Sequence, residues 1–175
     1  MNQLIKNSEK IELTGEDLHQ MTNGECKILD YLDLERMENM AQVFGGKQAA
    51  ILLFNTSSNV GHWVLLIRRG EDTISHFDPY GFSIDQDINI ASNQMVRNHQ
   101  GALTPHLTAL IQKGGFRVIE NNKRLQKMLS DINTCGRWCV VRYLMADYPI
   151  EKFQKTMLNQ KINPDEIVSY LTYLL

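Results

Sequence analysis

Cys135 stands in the run Asn133-Thr134-Cys135-Gly136-Arg137-Trp138-Cys139, where Asn133 and Thr134 are helix-capping residue types and a helical stretch of about a dozen residues follows. A thiol in the first turn of a helix is prepared as a nucleophile, because unpaired N–H groups and the aligned peptide dipole stabilise its thiolate. Gly136 leaves space for a substrate carbonyl to approach the backbone N–H that would form half of an oxyanion hole. The chemistry prepared in this way is attack on an acyl carbon through a thioester. Cys139, one turn further along the same face, reads as a buried small hydrophobe. Cys135-x3-Cys139 with a histidine also offers three soft metal ligands, but no second cysteine pair accompanies them, and no metal or other cofactor is expected.

The base for such a thiol is a histidine brought in from elsewhere in the fold, and five compete. His62 opens a buried strand just after the polar loop from Asn55 to Gly61, at a sheet edge where a cleft can form, with Trp63 beside it to shield the site. If Gly70-Glu71-Asp72 is a hairpin loop pairing Arg69 with Thr73, Val64 falls opposite Asp78 and His62 lies diagonal to Asp78 on the same face. The two Cβ atoms would then lie about 7–8 Å apart, within reach of a carboxylate-to-imidazole hydrogen bond that fixes the tautomer and favours the imidazolium. Two plainer readings compete. His62 can be a satisfied core histidine, and Asp78-Pro79-Tyr80-Gly81 is also a good turn whose aspartate bonds local backbone. His76 lies inside a strand and reads as a packing residue, while His19, His99 and His106 fall on helices without an acidic partner.

The elements that must position these groups follow from the spacing. Thr14 with Asp17 caps a helix through Met21, and residues Lys27 to Tyr31 form a short extended piece. Asp33 to Phe44 reads as a second helix stopped by Gly45-Gly46. Ala49 to Phe54 and His62 to Arg69 are continuous apolar runs of strand length, expected at a sheet centre covered on both sides. Thr73 to Asp78 and Phe116 to Glu120 supply further strands. Helices are expected from Asp85 to His99, from Thr104-Pro105 to Lys113, and from the Asn133-Thr134 cap to near Tyr148. Two more close the chain, the last beginning at Asn163-Pro164 and burying Ile167, Tyr170, Leu171 and Leu174. The expected fold class is α+β: a central mixed sheet flanked by helices, with the nucleophile at the N-terminus of a buried helix, in a single domain spanning 1–175.

Composition narrows the partners. Eighteen basic against twenty acidic side chains leave a net charge of -2, so nothing overall attracts phosphate backbones or anionic lipid, and neither nucleic acid nor membrane is expected as a partner. No apolar run approaches the ~18 residues of a spanning helix. The start MNQLIKNSEK lacks a secretory h-region, and three cysteines cannot all pair, which points to a reducing compartment.

Gly61-His62-Trp63, then Phe77-Asp78-Pro79-Tyr80-Gly81, then a glutamine, then Thr134-Cys135-Gly136 resembles the adenovirus-type maturation proteases and the related SUMO-specific proteases, whose order is His, acid, Gln, Cys. Leu125-Gln126 leading to Asp131-Ile132-Asn133-Thr134-Cys135-Gly136-Arg137-Trp138, with the opening Leu13-Thr14-Gly15-Glu16-Asp17-Leu18, is similar to the capsid-maturation proteases of large DNA viruses, virophages and virus-like transposons. The resemblance implies an adenain-like fold, in the wider papain-like class, and a thiol endopeptidase cleaving viral structural precursors during particle maturation. It implies cleavage at Gly-Gly-X or Gly-X-Gly sites, with Trp63 and Gly136 binding substrate, and action in the host cytoplasm or nucleus and inside the virion. It also gives Gln126 a role the residues alone do not, as the side-chain donor of the oxyanion hole. An activating peptide is left open, and the near-neutral charge does not support a DNA activator. A modifier isopeptidase with the same triad, and a capsid-associated binding module without activity, are the alternatives.

Overall fold

The computed structural model of the chain describes residues 3–57, 60–89, 104–173 and 175. A five-stranded sheet runs in simple order, β1 (Cys26–Asp30), β2 (Ala49–Ser57), β3 (Val60–Arg69), β4 (Thr73–Phe77) and β5 (Arg117–Glu120). The outer pairs β1–β2 and β4–β5 are parallel, and the inner pairs are antiparallel. The sheet is therefore mixed, as expected. Arg69 pairs with Thr73 and Leu65 with Phe77, which is the register inferred from the three-residue loop. Continued by one step, it sets Asp78 opposite Val64 and on the face of His62.

Both faces of the sheet are covered, which is why β2 and β3 show no polar alternation. One face packs Ile51, Leu53, Leu65, Ile67 and Phe77 against α2 (Gly15–Met21), α5 (Cys135–Leu144), α6 (Ile150–Leu158) and α7 (Pro164–Tyr173). The other packs Leu52, Phe54, Val64, Leu66 and Ile74 against α3 (Met40–Phe44) and α4 (His106–Lys113). A short α1 (Gln3–Ser8) precedes them. Each fully buried Leu, Ile or Phe contributes about 1.5–3 kcal/mol, so the two cores hold the sheet rigid between the helices. No helix among the described residues is long and apolar enough to cross a membrane.

Several boundaries differ from the sequence reading. The helix expected over Asp33 to Phe44 is two pieces, a 3-10 turn at Tyr31–Arg36 and α3, because Met37 is extended and Asn39 starts a new helix by accepting from Gln42 N–H at 3.1 Å. Tyr31 anchors the first piece by stacking on Phe54 at 4.4 Å. Pro105 precedes α4 rather than opening it, and Thr104 is outside the helix. Of the helix expected from Asp85 to His99, residues Gln86–Asn89 form a 3-10 turn and the remainder lies outside the described residues. In α7 the buried face is Asp165, Val168, Ser169 and Thr172, while Tyr170 and Leu171 are exposed. Its polar residues go inward because they satisfy buried groups on α5: Arg137 Nη1 donates to Thr172 Oγ1 at 2.9 Å. The expected inward placement of Leu174 falls outside the described residues.

Candidate active site

His62 is delivered by the end of β3 beside a bulge where the register slips between Asn55 and Ser57. The preceding Gly61 is required there, since a Cβ would lie 2.0 Å from the Phe54 carbonyl oxygen. The imidazole is buried, and its Nε2 lies 3.1 Å from Asp78 Oδ1. Tyr80 lies flat over the ring, with centroids 4.3 Å apart and planes 11° off parallel. Burial alone would lower the pKa of His62, but the hydrogen bonds and charges of Asp78 and Cys135 outweigh it and raise it to about 10.

Asp78 is fully buried in the turn Asp78-Pro79-Tyr80-Gly81, closed by Gly81 N–H donating to its carbonyl at 2.9 Å. Both plainer features of that turn coexist with the ion pair, since Asp78 Oδ1 also accepts from Tyr80 N–H at 2.6 Å. Asn121 clamps the Asp78 backbone, accepting from its N–H at 2.8 Å and donating to its carbonyl at 2.6 Å. Burial works to raise the Asp78 pKa, yet His62 holds it below the usual carboxylate value. The same turn carries the glutamine segment, because the Pro79 carbonyl accepts from both Leu125 N–H and Gln126 N–H, at 2.9 and 3.0 Å. Gly81, at φ +75°, permits this approach, since a Cβ would meet the Lys123 carbonyl carbon at 2.8 Å.

Cys135 is the first residue of α5 and reaches the end of β3, where its Sγ lies 3.8 Å from the Gly61 carbonyl oxygen. Among the described residues His62 Nδ1 has no hydrogen-bond partner, although the sulfur is close enough to act on the ring as a hydrogen-bonding and charged neighbour. Thr134 does not cap α5 with its side chain; its hydroxyl donates to Asp165 at 2.6 Å. Trp138 Nε1 donates to the same Asp165 oxygen at 2.9 Å, and Lys127 N–H to the other at 3.1 Å. Cys139 is fully buried, directed to the Trp63 carbonyl at 3.4 Å.

Cys135, His62 and Gln126 line one cleft of about 260 Å³ together with Gly61, Tyr80 and Glu12. Asp78 lies behind the imidazole. Gln126 is buried, its Nε2 donating to the Ile132 carbonyl at 3.2 Å and lying 3.4 Å from Tyr80 Oη. Trp63 and Gly136 are placed elsewhere. Trp63 donates from Nε1 to the Leu13 carbonyl at 3.0 Å and lines a neighbouring cavity with Thr14 and Gly15. Gly136 is buried against Leu13, Leu18 and that indole, where a Cβ would approach to 3.2–3.3 Å, so close packing requires the glycine. The aromatic cover of His62 is Tyr80, one strand-end away from the expected Trp63, because alternation along β3 turns residue 63 to the opposite sheet face. Sequence reasoning also passed over Asp87, which lies 3.6 Å from His62 Nε2, and the buried Asp165. Only the acidic start of α7 hinted at the latter.

No family model matches the chain. The uncharacterized protein V9 of Sputnik virophage is 32% identical over 172 residues, covering 96% of this chain and 98% of V9. The chain belongs to the V9 family. Among solved structures, this V9-family chain superposes on the ASFV pS273R protease with a TM-score of 0.51 and 16% identity, over 97% of its own length and 69% of the protease. The selenomethionine form of that protease gives the same score over 70% of its length. This V9-family chain thus shares the fold of that protease, a mixed sheet between helical layers, which is the α+β class expected from the sequence.

Proposed function

We propose that this V9-family chain is a cysteine-type endopeptidase that cleaves viral structural precursors during particle maturation, at Gly-Gly-X or Gly-X-Gly sites. The observation that carries the reading is the buried His62 ring, tied to Asp78 Oδ1 at 3.1 Å and adjoining Cys135 where the cleft opens. The virophage relative and the likeness to a viral protease fold support the setting inside infected cells and particles.

The Cys135 sulfur attacks the scissile carbonyl carbon, and the thiol proton resides on His62. Asp78 keeps Nε2–H directed away from the sulfur, so Nδ1 faces the reacting atoms. The developing oxyanion takes hydrogen bonds from the Cys135 N–H and from Gln126 Nε2, which gives up its contact with the Ile132 carbonyl. His62 returns the proton to the leaving amine as the C–N bond breaks. Water then adds to the thioester, giving up a proton to His62, and the thiol leaves with the new carboxylic end released.

The test is incubation of the virus's own capsid precursors with the protein and with Cys135→Ala. Discrete cleavage by the first and none by the second is expected. Processing by the alanine variant would overturn the assignment. Trapping of Cys135 by ubiquitin or SUMO carrying a C-terminal electrophile, without precursor cleavage, would move the substrate to modifiers.

A further inference from the structure

Asp87 has no part in the scheme above, yet its Oδ1 lies 3.6 Å from His62 Nε2. The 3-10 turn Gln86–Asn89 brings it there, and the adjoining Asp85 anchors that turn by accepting from Tyr31 Oη at 2.6 Å and Thr108 N–H at 2.8 Å. Asp87 is fully buried, and among the described residues neither of its oxygens has a hydrogen-bond partner. Asp78 Oδ2 is likewise buried and unpartnered, while Asp78 Oδ1 is saturated by His62 Nε2 and Tyr80 N–H. One side-chain nitrogen or oxygen from each of His62, Asp78 and Asp87 lies within 4.8 Å of the others.

Two carboxylates and one imidazolium at this spacing leave an uncompensated negative charge away from water. Like charges that close cannot both persist in a low-dielectric pocket, so one carboxyl keeps its proton. Asp78 accepts two hydrogen bonds and Asp87 accepts none, so the proton belongs on Asp87. We infer that Asp87 is a positioning residue of the triad, its carboxyl O–H donating to Asp78 Oδ2 and so holding Asp78 Oδ1 on His62. The inference rests on the Cys135–His62 reading for its effect on catalysis, though not for the proton itself.

The surroundings agree. Burial first, then the charge of Asp78, push the Asp87 pKa up to about 8, and Asp78 is lowered. The other titratable groups facing the pair, among the described residues, are His76 from β4 with its partner Glu120 from β5, Tyr80 from the turn, and Cys135 and Cys139 from α5. Above about pH 8 Asp87 ionises, repels Asp78, and the acid of the triad loses its fixed orientation.

The experiment compares wild type, Asp87→Asn and Asp87→Ala. An amide supplies the same donor at every pH. Asp87→Ala is expected to lower kcat at least tenfold with little change in KM, and Asp87→Asn to recover most of that loss. The alkaline limb of the wild-type profile should lie near pH 8, and that of Asp87→Asn should move higher. An Asn variant as slow as the Ala variant overturns the inference, because Asp87 would then act as an anion. The second readout needs no activity: the melting temperature of Asp87→Asn relative to wild type should climb from about pH 4 to 8 and level off, since wild type releases the Asp87 proton on unfolding across that window. A pH-independent difference sinks the proton. So does zinc raising the wild-type melting temperature at pH 7 while leaving Asp87→Asn unmoved, which would mean that the three groups hold a cation.

Discussion

Thr134 and Asp165, 31 residues apart in the chain, share a 2.6 Å hydrogen bond that ties the residue before the candidate nucleophile to the start of the last helix. The same carboxylate accepts from Lys127 N–H at 3.1 Å, next to Gln126, so one buried side chain fixes both halves of the proposed oxyanion hole relative to each other. Asp165→Ala would strand two buried donors, the Thr134 hydroxyl and the Trp138 indole N–H, at about 1–3 kcal/mol each, with the part-buried Lys127 N–H adding less, and a loss of about 3 kcal/mol is expected. Asp165→Asn, keeping one acceptor, should lose less. Chemical denaturation measures both; an Ala variant within error of wild type would show the network to be incidental.

The three thiols should differ sharply. Burial pushes Cys26 up to about 12 and holds Cys139 well above the ordinary thiol value, and neither lines the cleft. Iodoacetamide on the native protein should therefore modify Cys135 alone, and all three cysteines only after unfolding. Peptide mass mapping reads the order of labelling, and early modification of Cys26 or Cys139 contradicts it.

Gln126→Ala should cut kcat about 10²–10³-fold with little effect on stability beyond that of a buried polar residue, because its donor matters most when negative charge develops. Gln126→Glu should be at least as slow, since it places a carboxylate where the oxyanion forms. Equal kcat for Gln126→Ala and wild type would remove the glutamine from the site.

Stability should fall off at both ends of the pH scale. The His62 pKa is raised, so its contribution is full below about 6.5 and is lost as pH rises through about 10. The Asp78 pKa is lowered, so its contribution is present above about 3.8 and is lost as pH falls through its depressed folded value. Urea midpoints across pH should show the His62→Ala variant lacking the alkaline decline. A decline identical to wild type would assign it to other groups.

Gly81→Ala should cost more than the ~1 kcal/mol typical of a left-handed glycine, because its Cβ would also press on the Lys123 carbonyl. Since Pro79 holds Leu125 and Gln126, activity should fall further than the folded fraction explains. Gly46→Ala, also at positive φ but with open space around it, is the control and should show only the backbone cost.

Local spacing was sufficient wherever the deciding interaction is local. The Thr14–Asp17 capping box, the Arg69–Thr73 register and the placement of Cys135 at the start of α5 all follow from neighbours within a few residues. With period-2 alternation, that register also puts His62 and Asp78 on one face. Pattern could not show that residues 33–44 break in two, that Tyr80 rather than Trp63 covers the imidazole, or that α7 turns Tyr170 and Leu171 outward. Nor could it pair Asp87 with Asp78 or Asp165 with Thr134. Those outcomes depend on which distant groups become buried together, and a buried donor or charge takes its partner from whatever the packed layers bring within about 3 Å, regardless of distance along the chain.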